Sequence, residues 1–330
     1  MTVSNTLLTA RKALRAESHP LPGNYERRVF ADSKFSIFIG VAYPAELDEI
    51  VFVVEKKAAR GRLDIVTKAF QLGLENQKEI GHVRICLKLT HRAFSDLFIE
   101  LCDDVVSAFL SCQTEEQGVE TLRTRVAHWQ RFMASAGDQG LSLERQLGLY
   151  GELLFLYRLI EAGHGAAGAI NAWQGPLSKN QDFIFGTTAV EVKSTGVNSA
   201  TRVSISNELQ LDDLGLEYLY LCHQSFDQRS NLPTTLPLLI KKLEVLVGED
   251  LISALDDRLL SAGYHRTQES IYGGVGYTER RIVNYRVTEG FPRIVPKSLP
   301  PGVQEVQYSI ELSSATHFVV NEQQLFATII

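Results

Sequence analysis

The spacing of apolar residues divides the chain into a strand-rich first part and a mixed second part. Short alternating apolar runs bounded by turn residues predict five strands, at 27–30, 34–41, 50–54, 63–67 and 82–89. Apolar residues then recur every three or four positions, which predicts helices at 94–110 and 115–133. The Gly-, Ala- and Ser-containing run 134–140 predicts a boundary. We expect a β-rich domain backed by two helices at 1–137 and a second domain at 141–330.

The second part alternates helical and strand patterns. Ser142 is a candidate N-cap for a helix that runs to about residue 162, and Gly163 is placed to end it. Further elements are strands at 181–185, 188–195, 202–206 and 217–223, a short helix beginning within 207–214, and helices at 236–247 and 250–262. This mixture predicts an α/β (α+β) fold with a central mixed sheet flanked by helices.

The two strand patterns around Gly186 and Thr187 predict a tight hairpin, because Gly suits the first central position of a two-residue turn. In that register Phe183 pairs with Val190, and Asp182 lies opposite Glu191. Lys193 follows on the same face as Glu191, two residues along the strand. Two opposed carboxylates repel each other, and a divalent cation between them would remove the repulsion.

An Asp followed on the next strand by Glu-X-Lys resembles the PD-(D/E)XK nuclease superfamily, with Asp182, Glu191 and Lys193 in the motif positions. The stretches Gly-Leu-Tyr-Gly-Glu-Leu-Leu-Phe-Leu at 148–156 and Trp-Gln-Gly-Pro at 173–176 are similar to one bacterial branch, often called only "PD-(D/E)XK motif protein". Genes of that branch tend to neighbour DNA methyltransferases and ATPases of anti-phage systems. One departure is that Gln181, and not Pro, precedes the Asp.

The resemblance implies a restriction-endonuclease-like core and a Mg²⁺-dependent DNA endonuclease, in which Mn²⁺ can replace Mg²⁺. Asp182, Glu191 and the carbonyl of Val192 would hold the metal, and Lys193 would position the attacking water. The first core helix often contributes a glutamate to such a site, here Glu152. The partners implied are DNA and a methyltransferase or ATPase of the same restriction or phage-defence system, with a homodimer left open.

Three alternatives stay open at this point. Glu152 shares a mostly apolar helix stripe, where a carboxylate needs a partner, but it could also be a solvated helix glutamate. The fold could serve as a non-catalytic DNA-binding or assembly subunit, since fold does not fix function. Glu191 and Lys193 could form a structural ion pair without metal.

The stretch 264–297 is the best candidate for a surface that contacts phosphates. Tyr and Phe residues alternate there with basic residues, of which the candidate nucleic-acid contacts are Arg280, Arg281, Arg286 and Arg293. The alternative is an ordinary β extension with a solvated basic face.

Composition narrows the class of protein without identifying a site. The 330 residues are 45% hydrophobic and 22% charged, as in ordinary globular proteins, and the net charge of −6 argues against a broad, sequence-blind DNA coat. The four cysteines lack metal-like spacing, so we expect reduced, buried thiols. No apolar run approaches the roughly 18 residues of a membrane span, and the N-terminus lacks a basic-then-apolar leader, so we expect a cytoplasmic protein.

Overall fold

The computed structural model of the protein describes residues 2–329 with several gaps. The gaps are Pro20, Arg62, 77–80, 136–139, Ser178, 198–200, Asn231 and Pro233. The chain separates into two compact units, Met1–Ala134 and Ser135–Ile330. Most of the predicted break at 134–140 lies outside the described residues.

The first unit is an antiparallel sheet with helices. Its elements are α1 (Val3–Ala16), β1 (Gly23–Val29), β2 (Ser36–Tyr43), β3 (Leu47–Glu55), β4 (Ile65–Val66), β5 (Phe70–Asn76), β6 (His82–Leu89), α2 (Ser95–Leu110) and α3 (Glu115–Ser135). The strands are ordered β1-β2-β3-β6-β5-β4. Strand β5 was not predicted, because Gly73 and the polar residues around it interrupt the apolar alternation.

Helix α1 attaches to this sheet through a buried ion pair. Asp48 on β3 is 3% exposed. It accepts hydrogen bonds from Arg11 at 2.7 Å and from Arg15 at 3.0 Å. The two arginines are four residues apart and so lie on one side of the helix, which leaves the buried carboxylate fully paired.

The second unit is built around a mixed sheet. Its elements are α4 (Leu143–Glu161), α5 (Ala166–Ala172), β7 (Phe183–Phe185), β8 (Thr188–Gly196), β9 (Arg202–Ile205), β10 (Tyr218–Ser230), α6 (Leu236–Val247), α7 (Glu249–Ser261), α8 (Glu269–Tyr272), β11 (Val275–Arg286), β12 (Tyr308–Glu311), β13 (Val319–Val320) and α9 (Glu322–Phe326). The strand order is β13-β11-β10-β8-β7, with β8 and β10 parallel and the other neighbours antiparallel. The α/β class predicted from the sequence is confirmed. Within the described part of the chain, no helix has the length and apolar character needed to cross a membrane.

Each face of the mixed sheet packs into its own apolar core. Val190 and Val192 of β8 join residues of α4, such as Leu153 and Leu156, on one face. Ala189 of β8 joins the other core, together with side chains from β9, β10 and β12. Alternation along one strand therefore buries both of its faces, which is expected for a strand next to a parallel neighbour.

The strand predicted at 202–206 lies outside the central sheet, and the helix expected within 207–214 does not form. Strand β9 pairs with β12, with Val203 opposite Ile310. The segment 207–214 forms turns and no helix. Side chains there bind the local backbone, with Asn207 Oδ1 accepting from Leu209 N at 2.9 Å and Asp212 Oδ1 from Leu214 N at 3.3 Å. Such bonds compete with the helical ladder.

The ends of α4 agree with the sequence. Ser142 Oγ accepts a hydrogen bond from Arg145 N at 3.3 Å, which is the N-cap bond. Gly163 follows the helix with φ +103°, a conformation that favours glycine. These two residues fix the length of α4.

Helix α4 packs closely against β8. A Cβ atom on Gly151 would stand 1.9 Å from Ser194 Oγ, whereas one on Gly148 would meet nothing within 4 Å.

These two glycines give a matched pair of substitutions. We expect Gly148→Ala to stabilise the protein by about 0.5–1 kcal/mol, since alanine lowers the entropy cost of the helix and has room. Gly151→Ala should cost about 1–3 kcal/mol, because the methyl group must displace the Ser194 hydroxyl and would still stand 3.2 Å from Ser194 Cβ. Urea unfolding of both variants tests this. Equal effects would contradict the close packing at Gly151.

Candidate active site

The predicted hairpin forms with the expected register. Gly186 has φ +59°, and Phe183 pairs with Val190 and Phe185 with Thr188. Asp182 stands just before β7 and reaches β8 through its side chain, because its Oδ2 accepts from Val192 N at 2.8 Å. Asp182 Oδ1 takes no part in that bond. The aspartate is therefore held in place by one oxygen while the other is left for a ligand.

Glu191 on β8 is the least satisfied polar group of the site. It is 1% exposed, and neither of its carboxylate oxygens has a hydrogen bond of good geometry. Lys193 Nζ lies 2.8 Å from Oε1 as an ion-pair partner. Burial, and then the charge of Asp182, raise the pKa of Glu191 to about 8 against the opposing effect of Lys193. In the absence of a further cation, the site favours a protonated Glu191 at neutral pH.

Glu152 points from α4 toward the same carboxylates. A Cβ atom on Gly175 would stand 2.7 Å from Asp182 Oδ1 and 2.9 Å from Glu152 Oε2, so both oxygens lie close to the space that this glycine leaves free. Trp173 Nε1 donates to Glu152 Oε2 at 2.6 Å. Burial, and then Asp182, raise the pKa of Glu152 well above its ordinary value. Glu152 is half-buried and bound within the site, which differs from the solvated alternative.

Trp173 is fully buried, as a packing residue would be. Its indole nitrogen also orients Glu152, a role that the sequence did not predict. Its neighbours reinforce the arrangement, because the carbonyl of Asp182 accepts from Gln174 N at 2.7 Å and from Gly175 N at 3.0 Å. The loop before the hairpin is thereby tied to the aspartate.

Lys193 is held by a residue that the sequence analysis missed. Its Nζ donates to Gln210 Oε1 at 3.1 Å, and the same oxygen accepts from Ser206 N at 2.8 Å. Burial would lower the pKa of Lys193, but Glu191 and the other carboxylates outweigh it and the net pKa is raised. Lys193 therefore stays charged. No local motif marks Gln210, since it lies in a turn and reaches the site only through the fold.

Gln181 joins this turn to the hairpin. Its side-chain amide donates to the carbonyls of Leu209 at 2.8 Å and Gln210 at 3.3 Å. A proline, the residue of the motif's name, has no side-chain donor for these bonds. The departure from the motif thus has a structural role, because it fastens the turn that carries Gln210.

The donor set fits a hard divalent cation. Across the described residues, no group of three or more His, Cys, Asp and Glu side chains is arranged to hold a metal. Mg²⁺ needs only one or two carboxylates, however, and completes its octahedron with water and substrate oxygens. Glu191, buried without a hydrogen bond, and the free Oδ1 of Asp182 supply them. The N–H and C=O of one strand residue point to the same edge of the strand, so the Val192 carbonyl lies on the edge of β8 from which its N–H donates to Asp182.

A buried histidine lies next along the same face of the sheet. His223 on β10 pairs in register with Lys193, and its Nε2 lies 2.8 Å from Thr195 Oγ1. It is 1% exposed. Burial and then Arg281 lower the pKa of His223 to about 4, so it is neutral at physiological pH. Its hydrogen bond with Thr195 extends the polar row of Glu191 and Lys193 by one residue pair.

The four candidate nucleic-acid contacts have different surroundings. Arg281 is exposed, Arg280 pairs with Asp227 at 2.7 Å, and the Arg286 guanidinium lies 4.8 Å from the centre of the Tyr218 ring. Arg293 differs from the expectation of a surface contact. Its side chain is 11% exposed.

The donors of Arg293 bind the 207–214 turn. They reach the carbonyl of Leu211 at 2.6 Å and Asp213 Oδ2 at 2.7 Å. Arg293 thus anchors the turn that carries Gln210.

Comparison with known proteins gives one match. A family model described as "Putative PD-(D/E)XK family member, (DUF4420)" matches residues 9–313, which is most of both units. Searches of curated proteins and of solved structures found no match.

The raised pKa of Glu191 predicts how stability depends on pH when metal is absent. The protonated form is favoured in the folded state, so this contribution is full below about pH 4.5 and is lost as the pH rises through about 8. Glu191→Gln should therefore raise the thermal midpoint in EDTA, and more at pH 8.5 than at pH 5. The exposed Glu217→Gln is the matched control. A gain that is independent of pH would contradict a buried, protonated Glu191.

Proposed function

The chain belongs to the PD-(D/E)XK family, and on that premise we propose that it is a Mg²⁺-dependent DNA endonuclease of a bacterial restriction or phage-defence system. It would hydrolyse phosphodiester bonds in the cytoplasm, with Mn²⁺ able to replace Mg²⁺. The family's fold is restriction-endonuclease-like, and the mixed sheet flanked by helices agrees with it.

One observation carries this proposal. Glu191 is buried with Lys193 Nζ 2.8 Å from its Oε1, and Asp182 lies close enough for the two carboxylate charges to oppose each other. One lysine offsets only one of these two negative charges, and an uncompensated buried charge is costly. A bound cation is the partner that would offset this cost. A structural ion pair with Lys193 alone would leave Glu191 Oε2 without a partner.

The residues of the site have distinct roles in the proposed reaction. Asp182 Oδ1, Glu191 and the Val192 carbonyl would hold the metal, which would polarise the phosphoryl oxygen and lower the pKa of the attacking water. Lys193, kept charged by the carboxylates and held by Gln210, would orient that water and stabilise the charge that develops on the phosphate.

Glu152 would act on the water shell of the site and not on the phosphate. Its Oε2 is held by Trp173, and its raised pKa lets the carboxyl group carry a proton. Second-layer groups of this kind orient the ligands next to them. Exposed Arg281, with Arg280 and Arg286, would supply local positive charge for the DNA backbone despite the net charge of −6. A methyltransferase or ATPase of the same system, or a second copy, would be a partner.

Cleavage assays with Mg²⁺ and Mn²⁺ on double- and single-stranded DNA and on RNA test the proposal. We expect cutting that EDTA abolishes, and losses of at least about 100-fold in Asp182→Asn, Glu191→Gln and Lys193→Ala, because each removes charge at the reacting phosphate. Lys242→Ala, an exposed lysine on α6, is the control and should cut normally.

Metal binding measured by calorimetry separates the alternatives. If the three variants cut like the wild type, the active site lies elsewhere. If wild-type protein binds Mg²⁺ through Asp182 and Glu191 but cuts none of the substrates, the non-catalytic binding or assembly subunit becomes the better description.

Glu152 gives a separate prediction. Glu152→Gln keeps the hydrogen bond with Trp173 but cannot ionise when a cation binds, so it should lower Mg²⁺ affinity several-fold with little change in thermal midpoint. Glu152→Ala should lower both, since Trp173 Nε1 loses its acceptor. Unchanged metal affinity in both variants would restrict the metal site to the hairpin.

A further inference from the structure

The first unit contains a buried carboxylate with an unused oxygen. Glu49 on β3 is 2% exposed, and its Oε1 accepts no hydrogen bond. Gly40 lies opposite it on β2. A Cβ atom on Gly40 would stand 2.7 Å from Glu49 Cγ and 2.8 Å from Oε1. The carboxylate therefore occupies space that only a glycine leaves free.

Strand register places a donor beside this acceptor. Residues from five neighbouring strands form one cross-strand row, in the order Glu26, Gly40, Glu49, Lys88 and Gln71. Lys88 Nζ lies 3.8 Å from Glu49 Oε2, and it donates a hydrogen bond to Glu75. Oε1 is closed off against Gly40, so Glu49 Oε2 and Lys88 Nζ are the acceptor and the donor that stand side by side.

The row opens into a pocket of about 310 Å³. Its lining is mixed: Ala42, Leu47 and Leu89 are apolar, and the polar residues are Asn24, Asp48, Glu49, Gln71, Lys88 and Thr90. Its volume is at the small end of the range of ligand pockets. It suits a single flat heterocycle and not a larger ligand.

We propose that this pocket binds one nucleobase that carries an amino group beside a ring nitrogen, as cytosine and adenine do. The amino N–H would donate to Glu49 Oε2, and the ring nitrogen would accept from the neighbouring Lys88 Nζ. Uracil and thymine present a carbonyl oxygen in place of the amino group, which would face the carboxylate with lone pairs. Enzymes that read an unstacked base use such contacts to its pairing edge.

The inference goes beyond cleavage, because every residue of the pocket belongs to the first unit. Its ligand could be a base within a nucleic acid or a free nucleoside or nucleotide, since both present the same edge. The chemistry that recognises the base is common to the two sources.

Protonation of Glu49 makes the selectivity depend on pH. Burial raises the pKa of Glu49 to about 7; Lys88 and Arg84 lower it, and Glu26 and Glu75 raise it further. Above pH 7 the ionised carboxylate only accepts hydrogen bonds. Below pH 7 it is protonated and can donate to a carbonyl, so discrimination against uracil should weaken.

Calorimetry on the full chain in EDTA with cytidine, adenosine and uridine tests the proposal. At pH 8 we expect cytidine and adenosine to bind at least about fivefold more tightly than uridine, the lower end of a good base contact. Glu49→Gln should reduce the difference to less than about twofold, because an amide can present either a donor or an acceptor. Glu55→Gln, on the same strand and face but outside the pocket, should match the wild type.

Three control measurements accompany this experiment. Glu49→Gln removes a buried charge and should not lower the thermal midpoint at pH 8, so lost binding cannot be ascribed to unfolding. Asp182→Asn should bind nucleosides like the wild type, which separates failure of this site from failure of cleavage. Binding of short oligo-dC over oligo-dT identifies nucleic acid as the source, and selectivity seen only with nucleosides identifies a free ligand. Absence of nucleoside binding, equal binding of uridine, or unchanged selectivity in Glu49→Gln would overturn the proposal.

Discussion

Glu191 lies on β8, an interior strand of the mixed sheet, where it is buried beside Asp182 and Lys193, and the site of the second unit is arranged around that residue. Val190 and Val192 on either side of it point into the α4 core, which fixes the face toward which Glu191 turns. The Asp182 side chain accepts a hydrogen bond from the N–H of Val192, so the hairpin brings a second carboxylate next to Glu191. Lys193 offsets one of the two negative charges, and a metal cation or a proton would offset the other.

The groups around the carboxylates are held by segments that have little regular structure. Trp173 fixes Glu152 from the loop before the hairpin, and Gln210 fixes Lys193 from the turn at 207–214. Arg293 anchors this 207–214 turn through hydrogen bonds to Leu211 and Asp213. Glu208 anchors it as well, because its carboxylate accepts a hydrogen bond from the backbone N–H of Val306 at 2.8 Å. Irregular segments can position a site when their backbone and side chains are tied down at several points.

The two units each bury one glutamate in a sheet, and the surroundings differ in a way that indicates different partners. Glu191 has a second carboxylate beside it, which favours a hard cation. Glu49 has a lysine beside it and a bare glycine opposite, which favours a neutral ligand with a donor and an acceptor side by side. Burial raises the pKa of both groups toward neutrality, to about 8 for Glu191 and about 7 for Glu49.

The sequence by itself determined the features that depend on neighbouring residues: the hairpin at Gly186 with its pairing, the N-cap at Ser142, and helix α6, whose bounds match the pattern at 236–247. Alternation also placed Phe183 and Val190 in the core. Contacts between residues that are far apart in the sequence were decided only by the tertiary structure. The pairing of β9 with β12 joins segments about 100 residues apart, and no local pattern specifies it. The bonds from Gln210 to Lys193 and from Trp173 to Glu152, and the space that Gly40 leaves for Glu49, depend in the same way on how elements pack, because side-chain contacts between distant segments leave no periodic trace in the sequence.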